Sequence, residues 1–260
     1  MEKVIFFGNG MLAEYALAVL ERECQVIFHA RTRDDIETAC QIKRENPEAH
    51  GVLASFGVMI KEPVLELFEP EGILNIHPSL LPLYRGASPI ESAILAGDKG
   101  FSVSVMKLVR AMDAGPVYYQ KTIEGLHLEK AEIYRALAED GAKWICKNLK
   151  ALPEPVTQDE TKATFTTKLD KSMGLLTPET DTAETTLRKI VAYQGFPKPK
   201  YAFFGIPCIV LVAHIAKLGE TAGLTIPCAD GGSVVVDRLQ PEGRKPMDAK
   251  SFINGYRKQN

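Results

Sequence analysis

Asn75 and His77 stand two residues apart in the stretch NIHPSLLPLYRG (75–86), and Asp113 follows in VRAMDAGPV (109–117). In extended backbone an i, i+2 pair projects from one face. An asparagine amide donates to a carbonyl oxygen and stabilises the oxyanion that develops there. An imidazole titrating near neutrality moves a proton or balances that charge. A carboxylate orients the imidazole. Asn75, His77 and Asp113 converging on a carbonyl therefore suit acyl transfer to an amine: the amine attacks, the tetrahedral oxyanion is held, and a proton is relayed. No serine or cysteine nucleophile is required. Each residue alone has a plainer reading, His77 as a structural histidine and Asp113 as the turn former of D-A-G-P, so the chemistry rests on the three together.

The elements that position them are visible as patterns. KVIFFG (3–8) reads as a strand, and helical spacing follows at Leu12, Tyr15, Ala16, Val19 and Leu20. CQVIFH (24–29) reads as a second strand, and DDIETACQIKREN as a helix with Asp34 or Asp35 near its start. VLASFGVMI (52–60) and EGILNIH (71–77) read as the third and fourth strands. Strands alternating with helices imply an α/β fold with a doubly wound parallel sheet, whose ligands bind at the carboxyl ends of the strands, where Asn75 and His77 fall. SPIESAILAG (88–97) reads as a helix with Ser88 as N-cap and Pro89 in the first turn, SVSVMKLV (102–109) as a strand and residues 128–152 as a long helix. A polar segment with two prolines follows and reads as a linker. Beyond it, a capped helix is expected over 178–193. Short apolar pieces separated by glycine turns then suggest a small antiparallel barrel. The expected organisation is residues 1–152, a linker over 153–165, and 166–260.

Composition is that of a globular protein: 260 residues, 45% hydrophobic and 25% charged. No apolar run is long enough to span a membrane, and MEKVIFFGNG lacks a secretory leader's pattern, so a cytoplasmic protein is expected. The five cysteines have no C-x-x-C spacing, which argues against a disulfide framework or a structural zinc site. The net charge of -2 conceals an asymmetry, with 17 basic and 24 acidic groups in residues 1–160 and 14 and 9 in residues 161–260. A mildly basic C-terminal part is compatible with a polyanionic partner.

NIHPSLLPLYRGASPI followed by MDAGPV resembles the 10-formyltetrahydrofolate-dependent formyltransferases. ATFTTKLDK and LQPEGRKPMDAKSFINGYR (239–257) narrow the resemblance to methionyl-tRNA formyltransferases, and it extends over nearly the whole chain. It implies a Rossmann-like catalytic domain and an OB-like C-terminal barrel that helps hold tRNA. It places the catalytic trio on Asn75, His77 and Asp113, and tetrahydrofolate binding on Ser79, Leu80, Leu81 and Pro82. Val58, Met59 and Ile60 would line the pterin pocket. The implied formyl donor is 10-formyltetrahydrofolate, the acceptor initiator methionyl-tRNA, with no metal and a monomeric enzyme. Arg85 stays open between a solvated loop charge and a contact to a phosphate or the folate tail. The chain departs from the family pattern after its second strand: HARTRDDIETA leads directly into a helix, with Arg31 and Arg33 where a basic loop is usual.

Two other readings stand beside this one. Formyl transfer to an amino-sugar nucleotide keeps the trio and the donor, and the short 29–37 segment favours it. An NADP-linked oxidoreductase would use GNGMLA (8–13) as a dinucleotide turn, with Arg31 and Arg33 at a 2′-phosphate. It leaves NIHPSLLP unexplained.

Overall fold

A computed structural model of the chain describes residues 1–217, 220 and 223–256; Arg257, the last residue of the closing motif, lies outside them. The chain divides into two compact units, residues 1–93 with 98–167 and residues 94–97 with 168–260.

The first unit holds a six-stranded sheet of order β2-β1-β3-β4-β5-β6. Its strands are β1 (Lys3–Gly8), β2 (Gln25–Ala30), β3 (His50–Ala54), β4 (Ile73–His77), β5 (Gly100–Lys107) and β6 (Val117–Glu124). Strands β1 to β4 are parallel, whereas β5 and β6 run antiparallel to their neighbours, so the expected parallel sheet is mixed. The short 108–116 connection joins β5 to β6 as a hairpin loop and cannot make a parallel crossover, which accounts for the direction of β6 against β5. Strand β6, YYQKTIE after its first residue, is a half-exposed edge without an apolar run and carried no strand signal in the sequence. Helices α1 (Met11–Glu23) and α2 (Asp35–Glu45) fill the first crossovers, and α3 (Pro89–Ala96) follows the 75–86 loop.

Strand β4, ILNIH, is buried at all five positions. The period of two sends Leu74 and Ile76 to one face and Ile73, Asn75 and His77 to the other. Helix α4 (Lys130–Asn148) covers the first face with Ile133, Leu137, Ala138, Gly141, Ala142 and Ile145. A Cβ on Gly141 would stand 2.8 Å from Ile76 Cγ2 and 3.2 Å from Val103 Cγ2, so the helix lies directly on the sheet there. Each large apolar side chain sealed in this layer contributes about 1.5–3 kcal/mol. On the opposite face Ile73 joins a core of Ile5, Phe7, Leu53 and Phe68. Asn75 and His77 continue that face toward the strand's carboxyl end.

The segment expected as a linker belongs to the first unit. Val156 exchanges two backbone hydrogen bonds with Val117, each 2.8 Å. Further on, Thr164 N–H donates to Pro82 O at 3.1 Å, Arg85 N–H to Thr164 O at 2.8 Å, and Thr166 N–H to Arg85 O at 2.7 Å. The segment is polar because it is exposed on one side, yet its backbone straps down the 75–86 loop. Gly86 makes this possible: at φ 117 it adopts backbone that side chains disfavour, and a Cβ there would sit 2.6 Å from Thr166 Oγ1.

In the second unit α5 (Ala183–Ala192) is capped by Thr182, whose Oγ1 accepts from Thr185 N–H at 3.1 Å. An antiparallel sheet of order β11-β10-β8-β7, with β9 on β10, follows. It comprises β7 (Lys200–Phe203), β8 (Ile206–Ile215), β9 (Leu224–Pro227), β10 (Ser233–Pro241) and β11 (Met247–Asp248), and ends in α6 (Ala249–Tyr256). Register shifts between Val236 and Leu239 bend β10 and curl the sheet around Val210, Ile226, Val234, Leu239 and Phe252. The expected OB-like barrel is thus a curled antiparallel sheet closed over by helices. Among the described residues, no helix is long and apolar enough to cross a membrane.

Candidate active site

Asn75 and His77 are each 5% exposed at the end of β4. His77 Nε2 lies 3.2 Å from Tyr84 O. A carbonyl can only accept, so Nε2 carries the hydrogen and Nδ1 is the nitrogen left to exchange a proton. Nδ1 faces Asp113 Oδ1 at 3.7 Å. That gap exceeds a hydrogen bond, so Asp113 acts on the ring as a nearby charge. The other carboxylate oxygen, Oδ2, is fixed by Gly86 N–H at 2.7 Å. Asn75 makes no side-chain hydrogen bond among the described residues. No buried side-chain N or O atom among the described residues lacks a partner, so the unbonded Asn75 amide keeps access to solvent and is open to a ligand in the crevice.

Asp113 arrives there by an indirect path. Leu74 pairs with Lys107 and His77 with Ser104, so antiparallel β5 ends beside the start of β4. The 108–116 loop has to run back along the sheet to bring a carboxylate to His77. Asp113 itself has φ 50, left-handed backbone that costs a non-glycine residue about 1–2 kcal/mol. Two residues on, a Cβ at Gly115 would lie 1.8 Å from Lys107 O, so only glycine lets the loop turn this tightly. Gly115→Ala should displace the loop, lower turnover about tenfold or more by misplacing Asp113, and cost roughly 1–3 kcal/mol of stability. Urea unfolding and steady-state kinetics on one preparation check both; unchanged values would mean that the close approach is not needed.

The residues expected to hold a cosubstrate separate into two groups. Ser79 Oγ donates to Leu83 O at 2.6 Å, and Leu81 is packed with Met106 and Val117. Ser104 Oγ donates to Ser79 O at 2.6 Å and accepts from Leu81 N–H at 3.1 Å, and Gln120 Nε2 donates to Leu81 O at 2.6 Å. Ser79 and Leu81 therefore shape their own loop, as does Pro82, whose carbonyl is taken by the strap. Leu80 is exposed. In the 58–60 segment Ile60 is core, Val58 half-buried against it and Met59 60% exposed. The backbone N–H and C=O groups of 58–60 have no hydrogen-bond partner among the described residues. Leu80, Met59 and these backbone groups are the ones left to meet a ligand.

Arg85 is neither a solvated charge nor a group facing the crevice. It is 2% exposed; its Nε and Nη2 donate to Gln158 Oε1 at 3.1 and 2.8 Å, and its Nη1 and Nη2 to Glu160 at 2.8 and 2.7 Å. The Glu160 carboxylate raises the guanidinium pKa against the effect of burial, with Asp113 adding a smaller attraction. Gln158, Glu160, Ser104 and Gln120 were not singled out from sequence. Their only signal is their polar type: Gln158 and Glu160 in a segment resembling a linker, Ser104 on a strand recognised by its apolar alternation, and Gln120 on a strand without a sequence signal.

Known proteins show the same two-part arrangement. The formyl transferase domain family matches residues 11–149 and its C-terminal domain family residues 168–257. Methionyl-tRNA formyltransferase of Jannaschia sp. is 36% identical over 214 residues, which is 79% of this chain and 70% of that protein. The chain belongs to the methionyl-tRNA formyltransferase family. Among solved structures, methionyl-tRNA formyltransferase from Clostridium thermocellum superposes on this formyltransferase with a TM-score of 0.68 at 18% identity, over 93% of this chain and 98% of that one. HypX from Aquifex aeolicus in complex with tetrahydrofolic acid gives a TM-score of 0.74 at 18% identity, over the whole of this chain and 48% of that one. Both likenesses show the fold. The G-x-G-x-x-A turn of this formyltransferase has a packing role, since a Cβ on Gly8 would lie 2.7 Å from Ala13 Cβ and Ala54 O. Membership in the family disfavours the oxidoreductase reading.

Proposed function

We propose that the chain transfers a formyl group from 10-formyltetrahydrofolate to the α-amine of methionine on initiator tRNA, with Asn75, His77 and Asp113 as its catalytic residues. The observation that carries this reading is the Asn75 amide, without a side-chain hydrogen bond and still open to solvent, beside the His77–Asp113 pair in a member of this family. Asn75 Nδ2 donates to the formyl oxygen. The amine attacks the formyl carbon, a C–N bond forms, and the carbonyl π pair moves to oxygen, where the Asn75 donor holds it. Asp113 receives the proton that the amine loses and hands it to His77 Nδ1, and the carboxylate so regenerated stabilises the positive charge on the ring. His77 Nδ1 relays a proton toward N10 of the folate as the old C–N bond breaks and the carbonyl re-forms. Leu80 and Met59 supply apolar contact to the pterin, and the backbone groups of Val58, Met59 and Ile60 supply its hydrogen bonds.

The acceptor is a polyanion in this reading, and the exposed Arg244 and Lys245 of the second unit are offered as phosphate contacts. Binding of initiator methionyl-tRNA should then weaken roughly tenfold or more between about 50 and about 200 mM salt. The slope should fall in an Arg244→Ala, Lys245→Ala double variant. An affinity indifferent to salt removes these side chains from tRNA recognition. It would favour a small acceptor.

A further inference from the structure

We propose that Gln158, seated by Arg85, is the positioning residue that holds Asp113 at His77; the inference rests on the role given to Asp113 above. Asp113 reaches the site against two local preferences, since its loop runs back along the sheet and its backbone is left-handed. Gln158 Nε2 donates to Asp113 O at 2.8 Å and to Gly115 O at 2.7 Å. One amide nitrogen thus gathers the carbonyls on both sides of the turn. The Gln158 amide cannot be the other way round. The guanidinium edge of Arg85 can only donate and so takes Oε1, while the two carbonyls can only accept and so take Nε2. Gln158 is 8% exposed and Arg85 is 2% exposed, so water does not compete for either end. The next residue after Arg85 completes the hold, because Gly86 N–H grips Asp113 Oδ2. The carbonyl and the carboxylate of Asp113 are therefore both tied to the strap and the 75–86 loop, and Glu160 anchors the assembly by pairing with Arg85 at the surface.

Gln158 touches no reacting atom in this scheme and acts only through Asp113. Its removal should lower kcat by on the order of 10- to 100-fold, as a displaced catalytic group does, with KM for donor and acceptor within about twofold of native. The experiment measures formyl transfer by the full chain carrying Gln158→Ala, Arg85→Lys or Asp113→Asn, and each of the first two combined with Asp113→Asn. Arg85→Lys keeps a cation beside Glu160 while removing the guanidinium edge that seats Gln158, and it carries the test if Gln158→Ala does not fold. The expected result is a fall in kcat in each single variant and no further fall when Asp113→Asn is already present, because the pair is coupled. An equal fall in both backgrounds, or a raised KM with native kcat, overturns the proposal. Native kcat in Gln158→Ala and Arg85→Lys with an impaired Asp113→Asn overturns the proposal alone. Native turnover in Asp113→Asn removes Asp113 from the mechanism and the proposal with it.

Discussion

Replacing His77 by alanine is expected to lower kcat by roughly 10²- to 10⁴-fold, the range of a general acid–base group. The size follows from position. The ring is 5% exposed, its Nε2 is committed to Tyr84 O, and its Nδ1 faces a carboxylate 3.7 Å away. No other imidazole lies on this strand. Asp113→Ala should fall in the same range, since an uncompensated imidazolium in a buried site is costly. A single-turnover assay at saturating donor and acceptor checks both. A rate within a fewfold of native in either variant would remove that residue from the chemistry.

Asn75→Ala is expected to lower kcat by about 10²- to 10³-fold, about 2.7–4 kcal/mol of transition-state stabilisation, with little change in KM for the folate. Asn75 differs from His77 in what the folded protein gains from it. Its amide makes no side-chain hydrogen bond among the described residues and keeps access to solvent, so the substitution breaks no native bond. The variant should therefore melt no lower than the native protein, the pattern of a residue kept for function at the expense of stability. Thermal unfolding followed on the sample used for kinetics tests the pair of expectations. A marked loss of stability, or native turnover, would show that the amide serves the fold.

Much of this was legible in the residues because β4 concentrates it. Asn75 and His77 are polar groups inside an apolar run, and the period of two by itself places them on one face. Asp113 was found by its spacing and turn chemistry. Its path was not, because nothing in SVSVMKLV states that the strand runs antiparallel to β4. The strap was misread for a compositional reason. Residues 153–165 are polar with two prolines, as a linker is, and backbone pairing with 82–86 and 117 leaves no periodic side-chain pattern. Arg85 shows the same limit. A guanidinium after a turn reads as solvated, and only the meeting of distant Gln158 and Glu160 buries it. Ser79 and Leu81 show the reverse case, conspicuous motif residues whose side chains hold the loop in place, Ser79 by bonding Leu83 O and Leu81 by packing on Met106 and Val117.

The most direct measurement is formyl transfer from 10-formyltetrahydrofolate with charged initiator tRNA and a panel of amino-sugar nucleotides present together, products separated by mass. The account predicts formyl-methionyl-tRNA as the product, lost in His77→Ala. Formylated sugar nucleotide with unmodified methionyl-tRNA would contradict it.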